Sequence, residues 1–224
     1  MPKLMIALRG PGTAAIDRDS LRKDMERAGA ARLQVNVSDD AVAGAMRINE
    51  LDPAIDAVVS VWADDPAPVL DILTAAAGED VGRVAAWQVL ERTPLRPEVA
   101  VDGTRIDALA NVAFLRRPAE LERAEWSRIW LDEHTQVAID TQATFGYTQN
   151  IVERALTEAT PPVDAIVEEL FPMAAVHDIH AFYGSGGDQR ELERRMTRML
   201  ESVQRFGADR NLDVVPTSRY DWMW

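Results

Sequence analysis

The chain has 224 residues, 47% of them hydrophobic and 27% charged, with no cysteine and a formal net charge of −13. This is enough apolar material for one large or two small folded domains, and it argues against disorder. Disulfides, thiolate nucleophiles and cysteine metal sites are excluded, and so acidic a surface repels phosphate backbones and anionic lipid, which leaves neither nucleic acid nor a membrane as a fitting partner. No apolar segment reaches the roughly 18 residues that span a bilayer and no signal peptide is visible, so a cytoplasmic protein is expected.

Taken in chain order, residues 3–8 read as a strand, 17–28 as an amphipathic helix, 32–37 and 55–62 as strands, 66–77 as a helix and 83–90 as a strand, giving the order βαββαβ. Pro94, Pro97 and the Asp102-Gly103 turn then interrupt the pattern between 97 and 107. The order recurs afterwards: strand 110–115, helix 120–133, a strand within 137–152, strand 163–171, helix 189–206 and strand 212–220. Local matches support a tandem duplication. Ile55-Asp56-Ala57-Val58-Val59 parallels Val163-Asp164-Ala165-Ile166-Val167, and Gln34-Val35-Asn36-Val37 parallels Thr148-Gln149-Asn150-Ile151. The expected fold is α+β: two ferredoxin-like βαββαβ units in tandem, 1–97 and 107–224, forming an intramolecular α+β barrel.

Each such unit has one sheet face covered by helices and one bare, so two units satisfy both by laying their bare faces together. Alternation assigns the faces. Ile55, Ala57, Val59 and Val61, and likewise Val163, Ala165, Val167 and Phe171 with Glu169 as the exception, should face helices. The mixed sets Asp56, Val58, Ser60 and Trp62, and Asp164, Ile166, Glu168 and Leu170, should face a lumen lined as small-molecule sites usually are.

The most pointed feature is the helix carrying Trp126, Trp130 and His134, three rings at four-residue spacing with a strand expected from Val137 onward. His134 at the end of that helix is either a general acid or base beside an indole wall or a cap for the last carbonyls. The equivalent positions of the first unit hold Leu21, Met25 and Gly29, so the scaffold does not require the rings, and the first unit is read as a degenerate site. Glu168 and Asp164 share a strand face; Glu168 either orients His134 or itself accepts a proton, with a pKa raised by an apolar lumen, or else pairs with an arginine. Tyr147 and Asn150 can steady an enolate oxygen. His177 and His180 form no convincing metal site, and Gly184-Ser185-Gly186-Gly187 lacks the lysine of a phosphate-binding loop, so neither metal nor cofactor is expected.

Phe114-Leu115-Arg116-Arg117, then Trp126, Trp130 and His134, then Tyr147-Thr148-Gln149-Asn150, resemble the EthD family, as do Asp164-Ala165-Ile166-Val167-Glu168 and Ser218-Arg219-Tyr220. About half the chain carries the resemblance directly. Ala165 stands where the family prefers glycine, and the segment 173–206 is longer than usual. The resemblance implies a dimeric α+β barrel, here closed within one chain.

The resulting expectation is a cofactor-independent lyase or dehydratase, cyclase or isomerase acting on an apolar, aromatic or polycyclic carbonyl metabolite. His134, Glu168 and Tyr147 are its candidate catalytic residues, and Trp126, Trp130, Asn150, Asp164 and Trp62 its candidate substrate contacts. The alternative is a carrier for an apolar small molecule. The aromatic tail Trp222-Met223-Trp224 should dock on the barrel or join two copies in a homodimer.

Overall fold

The computed structural model describes all residues except 11, 79–82 and 159. Its elements are β1 (Lys3–Arg9), α1 (Arg18–Arg27), β2 (Arg32–Val37), β3 (Ile55–Trp62), α2 (Pro66–Ala76), β4 (Val84–Leu95), β5 (Asp102–Arg105), β6 (Leu109–Leu115), α3 (Arg123–Arg128), α4 (Thr135–Thr141), β7 (Gly146–Ala155), β8 (Ala165–Phe171), α5 (Ile179–Tyr183), α6 (Gln189–Gln204) and β9 (Asp213–Met223). A π-turn, Ile129–His134, joins α3 to α4 without a break. The helices begin where aspartates accept the first free backbone N–H groups: Asp17 for α1, Asp65 ahead of Pro66 for α2 and Asp188 for α6.

All strand pairings are antiparallel, in the order β2-β3-β1-β4-β7-β8-β6-β9, and β2 pairs with β9 from Arg32 opposite Met223 to Val37 opposite Ser218. That last pairing closes an eight-stranded barrel, with β5 added alongside β9. The first four strands of the order come from the first half of the chain and the next four from the second, each set in the same relative sequence.

The alternation expected along the third strands holds for most positions. Ala57, Val59 and Val61 pack beneath α1 and α2 with Leu21, Met25, Val69 and Leu73, and Ala165 and Val167 pack beneath the second set of helices with Trp126 and Trp130. Ile55 and Val163 turn inward instead. Ile55 pairs beyond a register shift between Leu8 and Arg9, and such a shift reverses which way a side chain points.

Two expectations need correction. The lumen is not hollow: Met5, Val58, Trp87, Phe114, Ile166 and Val215 fill its middle, with the rings of Trp87 and Phe114 5.7 Å apart. These six side chains, one from each of six strands, converge on one axis and at interior packing density leave no space at its middle. A polar cluster fills the rest: Lys3 donates to Glu168 at 2.5 Å and to Glu91 at 2.9 Å, and Asn150 and Gln34 also donate to Glu168. The second correction concerns Val137, which is helical rather than the start of a strand, because α4 continues to Thr141. The C-terminal tail is also less free than a docking tail would be. Trp222 is 8% exposed, pairs opposite Leu33 and lies against Gly103, whose φ of 86° a side chain rarely adopts.

Candidate functional site

The helix α3, the π-turn and α4 run over the outer face of β6, β7 and β8. In an unbroken α-helix each four-residue step overshoots a full turn by about 40°. The wider π-turn absorbs that overshoot and keeps His134 facing the sheet beside Trp130. Thr135 supports the irregular turn by donating its hydroxyl to the Leu131 carbonyl at 2.8 Å, and it accepts from the Gln149 amide of β7 at 3.0 Å.

Under this helix lies a cavity of about 580 Å³, lined by Trp130, His134, Tyr147, Glu169, Asn111 and Gln142, and walled on its other side by apolar residues of α6. Sheet register builds its floor. Tyr147 stands directly opposite Glu169, and Glu169 directly opposite Asn111, so three polar side chains form a row across β7, β8 and β6 on the helix-facing side. The cavity therefore lies between sheet and helices, on the opposite side of the sheet from the lumen.

Burial sets the electrostatics. The ring of His134 is 4% exposed, 4.7 Å from that of Phe206, and burial lowers its pKa from 6.5 to about 4, so it is uncharged near neutrality. Since the helix does not end at His134, no helix C-terminus offsets this. Its Nδ1 lies 2.9 Å from the Ser202 hydroxyl of α6, which leaves Nε2 without a protein partner among the described residues. Glu169 lines the cavity, and burial pushes its pKa from 4.5 up to about 7. Burial and the neighbouring Glu169 charge both raise the Tyr147 phenol above its ordinary value, as they do for Tyr183.

Four buried polar atoms of this lining have no hydrogen-bond partner among the described residues: Glu169 Oε1, Asn111 Oδ1, Gln142 Oε1 and Trp130 Nε1. The Trp130 N–H sits near the Tyr147 phenol without reaching full hydrogen-bond geometry. Buried groups of this kind cost about 1–3 kcal/mol each when unpaired, so a cluster of them facing one space favours a bound molecule, water or ligand, that supplies the partners.

Of the residues expected at a site, Trp130, His134 and Tyr147 line this cavity. Trp126 lies behind Trp130, ring centroids 5.2 Å apart, and donates its N–H to the Phe206 carbonyl at 2.9 Å. The others are elsewhere. Glu168, Asn150 and Trp62 face the lumen, so Glu168 cannot orient His134 across the sheet. Nor is its pKa raised: burial pushes upward, but Lys3 and Arg219, with bonds from Lys3 and Gln34, outweigh it and bring Glu168 down to about 2. Asp164 accepts from the Arg117 backbone N–H at 2.8 Å and pairs with Arg123 at 3.1 Å, fastening the start of β8 to the β6 exit.

Glu169, Asn111 and Gln142 are polar residues on the sheet and helix side of the cavity that sequence reasoning did not single out. The one available signal was Glu169 interrupting the apolar, helix-facing alternation of its strand.

No family model matches the chain, and no curated protein matches it in sequence. Solved structures do share its shape. An anthrone oxidase-like protein superposes with a TM-score of 0.52 at 8% identity, over 99% of this chain and 92% of that one. A mutant chlorite dismutase from Candidatus Nitrospira defluvii gives 0.47 at 13% identity, over 97% and 91%. A dye-decolorizing peroxidase from Bacteroides thetaiotaomicron gives 0.41 at 7%, over 99% and 92%. At such identities the likeness is one of fold alone: an α+β antiparallel barrel, its eight strands supplied here by a single chain.

Proposed function

We propose that the chain is an enzyme that takes a flat, apolar cyclic carbonyl compound into the cavity between α3–α4, α6 and the sheet, and moves a proton at the carbon next to the carbonyl. The observation that carries this reading is Glu169, unpartnered, held near half-ionisation at neutral pH and directly opposite Tyr147. A general acid or base works best with a pKa near the operating pH, and Glu169 meets that condition while His134, lowered to about 4, does not. The Glu169 carboxylate takes the proton, the C–H electron pair passes into the carbonyl as an enolate, and the Tyr147 hydroxyl or Trp130 N–H donates to the oxygen. Returning the proton to another carbon completes an isomerisation. Delivering it to a departing β-hydroxyl eliminates water, the dehydratase form of the same chemistry. His134, fixed by Ser202, orients the substrate through Nε2.

The ligand shape fits the apolar walls and the indole of Trp130. An anthrone, the compound named for one protein of this fold, is a flat tricyclic aryl ketone of that kind. A homodimer, if formed, would use Met223 and Trp224, which are 59% and 38% exposed, rather than the internal Trp222.

The test uses α-tetralone and anthrone as probes, following by NMR deuterium uptake at the carbon next to the carbonyl of the tetralone and at the methylene conjugated through the rings to the carbonyl of anthrone, and binding by tryptophan quenching. Glu169→Gln is expected to slow exchange by about 10²–10⁴-fold with binding kept. Binding without exchange in the wild type would make the chain a carrier, and exchange unchanged in the variant would remove Glu169 from the chemistry.

A further inference from the structure

At one mouth of the barrel, on the other side of the sheet from the proposed active site, lies a second cavity of about 220 Å³. Its roof is the segment between β4 and β5, through Arg96, Pro97, Val99 and Val101, and its floor is the top of the lumen cluster at Gln34, Glu168 and Arg219.

The lining holds three guanidinium groups, Arg32, Arg96 and Arg219, against two carboxylates, Glu91 and Glu168. Both carboxylates are already engaged. Glu168 accepts from Lys3, Gln34 and Asn150, and Glu91 accepts from Lys3 and from the Trp62 indole at 3.2 Å. The arginines are less fully satisfied. Asp221 holds one side of Arg219, at 2.8 and 2.9 Å, and one nitrogen of Arg32, at 3.3 Å. Arg32 Nε is buried with no acceptor, and the remaining terminal nitrogen of Arg219, whose side chain is 7% exposed, has none among the described residues. Arg96 makes no ion pair among the described residues and lies exposed at the rim. In a chain of net charge −13, three guanidinium groups converging on a cleft with free donors are an uncommon concentration of positive charge.

We infer that this mouth is a binding site for a small organic carboxylate, its oxygens met by the free donors of Arg32, Arg96 and Arg219 and its body lying against Pro97, Val99 and Val101. Planar guanidinium groups match a carboxylate in paired hydrogen bonds, and the wall behind Arg32 is the Trp62 ring, 4.2 Å from the guanidinium and 4.8 Å from Lys3 Nζ on the same indole. An anion that draws Arg32 toward itself changes the field on that indole, so Trp62 reports occupancy.

The experiment titrates benzoate, with inorganic phosphate as a second probe, into the full chain by calorimetry and tryptophan fluorescence. The same titrations are run on Arg96→Gln, Arg32→Gln and Trp62→Phe. Saturable benzoate binding is expected, weakened at least about tenfold by either arginine change and by raised salt, with the fluorescence response lost in Trp62→Phe while heat is still released. Arg96 is exposed, so its replacement leaves the fold intact. Phosphate binding with the same arginine dependence but no benzoate binding overturns the carboxylate assignment. No saturable binding of either probe below about 10 mM, or binding indifferent to both arginine variants, overturns the site. Benzoate binding lost in Trp130→Ala but kept in both arginine variants places the probe in the larger cavity and overturns it equally.

Discussion

Glu169 and His134 are shifted by the same cause, burial, in opposite directions, because burial disfavours whichever form is charged. Each shift has a consequence for stability. Glu169 rises from 4.5 to about 7, so the native chain holds a proton that the unfolded chain releases; its contribution is full below about pH 4.5 and is lost as pH rises through about 7. Glu169→Gln has no such proton to lose. Relative to wild type it is expected to gain about 1–3 kcal/mol in denaturant melts at pH 8 and almost nothing at pH 4. His134 falls from 6.5 to about 4, so its contribution is full above about pH 6.5 and is lost as pH drops toward 4. The stability gap between wild type and His134→Gln should narrow by about 2–3 kcal/mol between pH 7 and pH 4; a gap independent of pH would mean that the ring is not held neutral.

At the scale of elements, the π-turn is the device that turns a run of four-residue spacings into a cavity wall. Asp132 is exposed and lies within it, so inserting one alanine beside it removes no core contact but adds a residue that the turn does not absorb. The expected result is a rotation of α4 by about 100° against α3 that carries His134 off Ser202 and out of the cavity. Helix content by circular dichroism should be retained while probe binding measured by Trp quenching is lost. Binding at wild-type strength would show that the turn is incidental. The row Tyr147–Glu169–Asn111 depends in the same way on strand register, since a one-residue slip of β8 would bring Glu168 to the helix side and send Glu169 into the lumen.

For the molecule as a whole, the pairing of β2 with β9 closes the barrel and removes the exposed strand edges that an open sheet would present. It also buries Trp222 and brings Asp221 of β9 to Arg32 of β2. A chain ending after Thr217 loses all of these together. It is expected to melt without a cooperative transition and to aggregate, which calorimetry and light scattering would detect; a sharp two-state melt would mean that the closing strand contributes little. Lys3 and Glu168 hold the centre of the same closure. Lys3→Met, which strands a buried carboxylate, should cost about 3–5 kcal/mol in chemical denaturation, whereas a near-neutral result would mean that water reaches Glu168.

The sequence by itself determined the period of most segments, and with it the main order of strands and helices, the face on which most residues of the third strands lie, and the ring-bearing helix. Those features rest on local spacing, which a chain carries without reference to its partners. Tertiary structure decided which side of the sheet holds the cavity, because that depends on the summed volume of Trp87, Phe114 and their neighbours from several strands converging on one axis. It also decided the chemistry. Adjacent residues Glu168 and Glu169 differ by one step along a pleat, yet one faces Lys3 and stays ionised while the other faces the helix-side cavity, where burial raises its pKa to about 7. Which cation or cavity lies across from a side chain is a property of pairing between distant segments, and no local pattern encodes it.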